Sequence, residues 1–128
     1  MGYAGSELFA ELLLTLMREE AKRLGAVFAI EHHRRGNITE EISASVTRGE
    51  RAFRITMQYV RNDAIREHYL PAGWAHIETD WELRLRPDPD PANAGHFLWY
   101  RRRSDETDPV PALVDESWLR TLIREKVS

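Results

Sequence analysis

The stretch ITEEISASVTRGERAFRITMQYVR, residues 38–61, alternates apolar and polar side chains through two segments joined at Gly49-Glu50. In the first segment Ile38, Ile42, Ala44 and Val46 fall on one side, and Thr39, Glu41, Ser43, Ser45 and Thr47 on the other. In the second, Phe53, Ile55, Met57 and Tyr59 oppose Arg54, Thr56 and Gln58. A period of two over such a length marks antiparallel strands with one face on a core and one toward water. Glycine in the first place of a two-residue turn suits a type II′ hairpin, which requires a positive φ there. Turning the chain at Gly49-Glu50 sets Val46 against Phe53, Ala44 against Ile55 and Ile42 against Met57. A slip of one residue would turn all of them over. The sheet is built outward from this hairpin.

Upstream, residues 27–34 predict a preceding strand. A three-residue loop, Arg35-Gly36-Asn37, pairs Ile30 with Ile42 and Phe28 with Ala44, and brings His32 opposite Glu40. A two-residue Gly36-Asn37 loop would place Glu31 against Ile42, so the longer loop is preferred unless a bulge intervenes. Before that strand, Phe9, Leu12, Leu13, Leu16, Met17 and Leu24 recur at the spacing of one helix face. Ser6 suits the N-cap, Lys22 and Arg23 suit the negative end of the helix dipole, and Gly25 ends the helix.

Downstream, Asn62-Asp63 can cap a short helix to Tyr69, stopped by Pro71-Ala72-Gly73. Residues 74–86 read as a fourth strand with Ile77, Trp81, Leu83 and Leu85 on one side. The proline-bearing stretch 87–95 is a loop, and 96–103 a fifth strand. Placing Arg86 opposite His96 sets Leu85 by Phe97, Leu83 by Trp99, Tyr100 by Glu82 and Arg102 by Asp80. An acidic loop, 104–111, leads to a last helix near Ala112 to Val127, with Val114, Trp118, Leu119, Leu122 and Ile123 on one face. The expected architecture is α+β: a single domain over residues 1–128, with one antiparallel sheet of about five strands and its helices on one face. The element order resembles that of small secretion chaperones, but order alone implies no activity.

The 128 residues contain no cysteine, which excludes disulfide scaffolds, thiolate metal sites and thiol nucleophiles. At 42% hydrophobic residues the chain can fill a core, so it is not a disordered tail. Eighteen basic and 21 acidic residues leave a net charge of −3, which argues against a dedicated nucleic-acid coat while leaving local basic patches possible. Acids at Glu7 and Glu11 interrupt the first apolar run, and Gly2 gives only a permissive match to a myristoylation pattern. A cytoplasmic protein with no membrane segment is the expectation.

Several clusters are candidates for chemistry. His76, Glu78 and Asp80, with Glu82, share even numbers on the fourth strand, so one face could hold a divalent ion or an acid–base pair. A polar strand face with cross-strand charge pairing explains the same row without a metal. Arg34 and Arg35 flank Gly36 in a turn that could approach a phosphate. Tyr100, Arg101, Arg102 and Arg103 end an aromatic strand and suggest base stacking beside phosphate contacts. No phosphate-loop, dinucleotide or nucleophile-elbow motif occurs. The meander also presents a broad face of hydroxyls with Arg54, Thr56 and Gln58, bordered by Val27, Ala29 and Val60, suited to dimerisation or to an extended partner. The sequence favours a non-catalytic binding or regulatory module, without a cofactor, that engages a protein partner or itself through that face or a strand edge. The alternative is single-stranded nucleic-acid binding through Arg34, Arg35 and Arg101–Arg103, and a metal-assisted enzyme using His76, Glu78 and Asp80 comes third. If the two arginine groups converge on one patch the nucleic-acid reading gains; if they diverge the protein-binding one does.

Overall fold

Helix α1 (Gly5–Leu24) leads into strands β1 (Val27–Arg35), β2 (Thr39–Arg48) and β3 (Arg51–Val60). Strands β4 (Gly73–Ile77), β5 (Trp81–Pro87) and β6 (Phe97–Arg103), the two-residue β7 (Ala112–Leu113) and helix α2 (Glu116–Val127) follow. The structure, a computed structural model, describes residues 5–37, 39–60, 73–78, 80–87, 92, 97–103 and 112–128. The sheet order is β1-β2-β3-β4-β5-β6-β7, and every neighbouring pair is antiparallel. The α+β class with one antiparallel sheet is as expected, but six strands and a two-residue edge replace five.

The central hairpin forms as the alternation requires. Val46 pairs with Phe53, Ala44 with Ile55 and Ile42 with Met57, around a turn in which Gly49 has φ +61°. All six of these side chains are buried beneath the two helices, together with Leu13, Leu16 and Met17 of α1 and Leu119, Ile123 and Val127 of α2. Each large apolar side chain removed from water here contributes about 2 kcal/mol. Gly25, at φ +66°, ends α1, and Ala26 N–H donates to the Ala21 carbonyl. The last helix starts later than expected. Asp115 is its N-cap, accepting from Trp118 N–H at 3.0 Å, while Ala112 and Leu113 extend the sheet as β7. The first starts slightly earlier, so Ser6 lies inside it.

Three expectations of register are corrected. The segment 74–86 is not one strand: it folds back at residues 78–80, pairing Ile77 with Trp81 and His76 with Glu82. Asp80 N–H closes that turn on the Ile77 carbonyl. In the β1–β2 hairpin, Phe28 pairs with Val46 and Ile30 with Ala44, two residues from the expected register, and a bulge at Glu31 follows. Beyond it His32 faces Ser43 and His33 faces Ile42, so His33 rather than His32 meets Glu40. The loop is closed by Gly36 N–H to the Thr39 carbonyl. Finally, β5 and β6 are displaced by two: Leu85 meets Trp99, Leu83 meets Arg101, Arg84 meets Tyr100 and Glu82 meets Arg102. The expected short helix at 62–69 and the acidic loop 104–111 lie outside the described residues, as does most of the loop 87–95.

Candidate functional site

The face opposite the helices carries the polar halves of the alternating strands. Register aligns them into cross-strand rows. One row runs His32, Ser43, Thr56, His76, Glu82 and Arg102 from β1 to β6. The next runs Arg34, Glu41, Gln58, Trp74, Arg84 and Tyr100, and reaches Leu113 on β7.

Within the first row, Glu82 is 8% exposed although it lies on the open face. Arg84 donates to it through Nε at 2.5 Å, Arg102 Nε lies at 3.3 Å and His76 Nε2 at 3.7 Å. Burial opposes the charge on Glu82, but Arg84, Arg102 and His76 outweigh it and hold the carboxyl below the usual carboxylate range. Ser43 Oγ and Thr56 Oγ1 are 3.1 Å apart in the same row. In the second row Trp74 is half-buried, and its ring meets His76 edge-on with centroids 4.7 Å apart. Tyr100 is also half-buried, and Arg84 is the backbone partner of both residues.

Of the sequence-predicted residues, Arg54, His76, Glu78 and Asp80 gather around one hollow, while the arginine groups part. Arg54 lies on the open face between Glu31, at 3.7 Å, and Glu78, at 3.4 Å, so it ties β3 to the β1 bulge and to the β4–β5 turn. A shallow hollow of about 450 Å³ beside it is lined by Thr56, His76, Glu78 and Asp80 among others. Asp80 is paired with Lys126 of α2, and His76 is turned to Glu82. The expected alignment of His76, Glu78 and Asp80 therefore fails at the turn. Among the described residues no three His, Asp or Glu side chains are grouped to hold a metal. Arg101 lies on the helix side, its guanidinium 4.9 Å from the Trp81 ring centroid and 5.3 Å from that of Trp118. Arg103 covers Trp81 from 5.3 Å, and Arg102 alone of the three faces Glu82.

Arg34 and Arg35 end β1, whereas Arg101–Arg103 lie on β6, five strands away and so roughly 24 Å across the sheet. The two groups diverge. Expected pairings of Arg102 with Asp80 and Tyr100 with Glu82 are replaced by Glu82 and Arg84 respectively, for the two-residue shift already described.

At the β1 edge, Glu40 accepts from Tyr59 Oη at 2.9 Å and lies 3.0 Å from His33 Nε2. Burial opposes its charge, but these two hydrogen bonds and the charges of His33 and Arg35 hold it below the usual carboxylate range. Among the described residues, β1 has β2 on one side and no strand on the other. It is exposed nearly throughout, with Val27 at 64% and Ile30 at 45%. Its apolar half, Val27 to Ile30, lacks the charges and prolines that normally guard an edge; the bulge and charged residues come only from Glu31 onward.

Sequence reasoning overlooked Trp74. Its even number, shared with His76 and Glu82, places it on the open face, and that signal was available. Compared with protein-family models, with curated proteins and with solved structures, the chain has no match in any of the three. No helix among the described residues is long and apolar enough to cross a membrane.

Proposed function

We propose that this protein is a non-catalytic binding module that takes an extended protein segment along β1, the segment coming from a partner or from a second copy. The observation that carries the reading is the exposed, one-sided β1 edge with Val27 and Ile30 in water. An incoming strand satisfies a row of backbone donors and acceptors, and the side chains at Val27–Ile30 add apolar contact. The divergence of the arginine groups supports protein binding over a nucleic-acid patch made of Arg34, Arg35 and Arg101–Arg103 together. Cytoplasmic localisation remains part of this reading, as does the absence of a catalytic role.

Light scattering coupled to size exclusion, followed over a hundredfold range of concentration, tests the second-copy source. Hydrogen exchange with and without a library of extended peptides tests the partner source. In either case the β1 amides from Val27 to Ile30 gain protection, and a Val27→Lys/Ile30→Lys variant loses it. A strictly monomeric chain whose β1 amides exchange freely with every peptide overturns the proposal.

A further inference from the structure

The open face carries a second surface, at the opposite end of the sheet from β1. Trp74 on β4, Arg84 on β5 and Tyr100 on β6 lie in one cross-strand row, with His76 and Arg102 in the row beside them. The two rings are two strands apart, about 10 Å. That is too far for one ring to stack on the other and suits two flat groups presented in succession.

Charge sorts the possible occupants. Arg84 and Arg102 each bring Nε to the buried Glu82, and their side chains stay 50% and 44% exposed. Two guanidiniums around one carboxylate leave a local excess of +1. Aromatic faces interleaved with surplus guanidinium donors recognise bases joined by phosphates, and a surplus of positive charge favours a polyanion.

We infer that the Trp74–Arg84–Tyr100 row, with Arg102 beside it, is a platform for single-stranded nucleic acid. Successive bases lie on Trp74 and Tyr100 while the intervening phosphates meet Arg84 and Arg102. Tyr100 and Arg102 are shared with the residues that the sequence pointed to for nucleic acid, whereas Trp74 and Arg84 are not among them; Arg34 and Arg35 are at the far edge, and Arg101 is on the helix side. The inference goes beyond the β1 reading and does not depend on it.

The test is anisotropy of a fluorescein-labelled ten-nucleotide oligouridylate titrated with the full chain at low and at physiological salt, with uridine monophosphate and heparin as competitors. Binding is expected at low salt and weakens with salt at a slope near −1.4, as two phosphate contacts require. Trp74→Ala weakens it about tenfold, Trp74→Phe restores most of it, and Arg102→Gln lowers the salt slope by about 0.7. Circular dichroism of each variant confirms that it is folded. Absence of binding at low salt overturns the inference, and so does binding that heparin abolishes and Trp74→Ala leaves unchanged, since that is attraction of a polyanion alone. Self-association reversed by Trp74→Ala, with no oligonucleotide bound, overturns it in favour of a protein contact.

Discussion

Arg120 of α2 reaches Glu20 of α1 at 3.1 Å, and Glu20 has no exposed surface. Arg23 at 3.3 Å and Arg124 at 3.4 Å complete a ring of three guanidiniums around this carboxylate, while Arg120 also holds Glu19 at 2.6 Å. Hydrogen bonds from Arg120 to Glu19 and Glu20 raise it above the ordinary guanidinium value. This ionic seam joins the two helices that cover the sheet.

The seam is expected to respond unequally to loss of its two sides. Arg120→Met leaves a buried carboxylate with fewer donors and lowers unfolding free energy by about 3 kcal/mol. Glu20→Met leaves arginines that can turn to water, and costs less. Urea denaturation of both variants checks the order; equal losses would contradict it.

Acid should weaken the fold through Glu40 and Glu82. Both are depressed in the folded chain. Each therefore contributes stability above the unfolded value, about 4.3, and loses it as pH falls toward the lower folded value. The urea midpoint is expected to drop as pH falls below about 4.3, and to drop less steeply in Glu40→Gln and in Glu82→Gln. The check is a set of denaturation curves across that range.

Gly49 sits at φ +61° in the β2–β3 turn, with nothing within 4 Å of where a Cβ would stand. Any cost of substitution is thus conformational rather than steric. Gly49→Ala should destabilise by about 1 kcal/mol, and Gly49→Asn by less, because asparagine tolerates that region. Thermal unfolding of the two variants measures the difference.

Trp81 and Trp118 meet edge to face, 5.4 Å between centroids at 89°, with Arg101 against both rings. Arg101→Ala should lower stability by about 1 kcal/mol through the lost cation–ring contacts. It should also alter the near-ultraviolet dichroism of the tryptophans. Oligonucleotide titration of this variant should match the wild type, which separates Arg101 from its neighbour Arg102.

Which of these relationships could be read from the chain follows from what alternation can sense. Side-chain period placed Val46, Ala44 and Ile42 against Phe53, Ile55 and Met57 because the Gly49-Glu50 turn admits one register. The turn at 78–80 went unseen because a three-residue reversal keeps Ile77 and Trp81 on the same face, so the pattern runs through it as if the strand were continuous. Length was the missed cue: 13 residues is well beyond the usual strand of about 5–6. The shift of β6 against β5 preserves parity in the same way, and exchanges Phe97 for Trp99 opposite Leu85 without changing which residues alternate together. The bulge at Glu31 is the converse case, since it inverts parity within one strand and exchanged the roles of His32 and His33. The open-face row of Trp74, Arg84 and Tyr100 depends on both parity-preserving errors being corrected, which is why no inspection of spacing alone assembles it.

Among the described residues the two borders of the sheet are unequal: nine residues at β1, two at β7. In the proposed pairing, a copy that joins along β1 occupies its mate's β1 at the same time, so the contact would be isologous and would close about a two-fold axis. Growth along that border would then stop at two chains rather than run on into fibres.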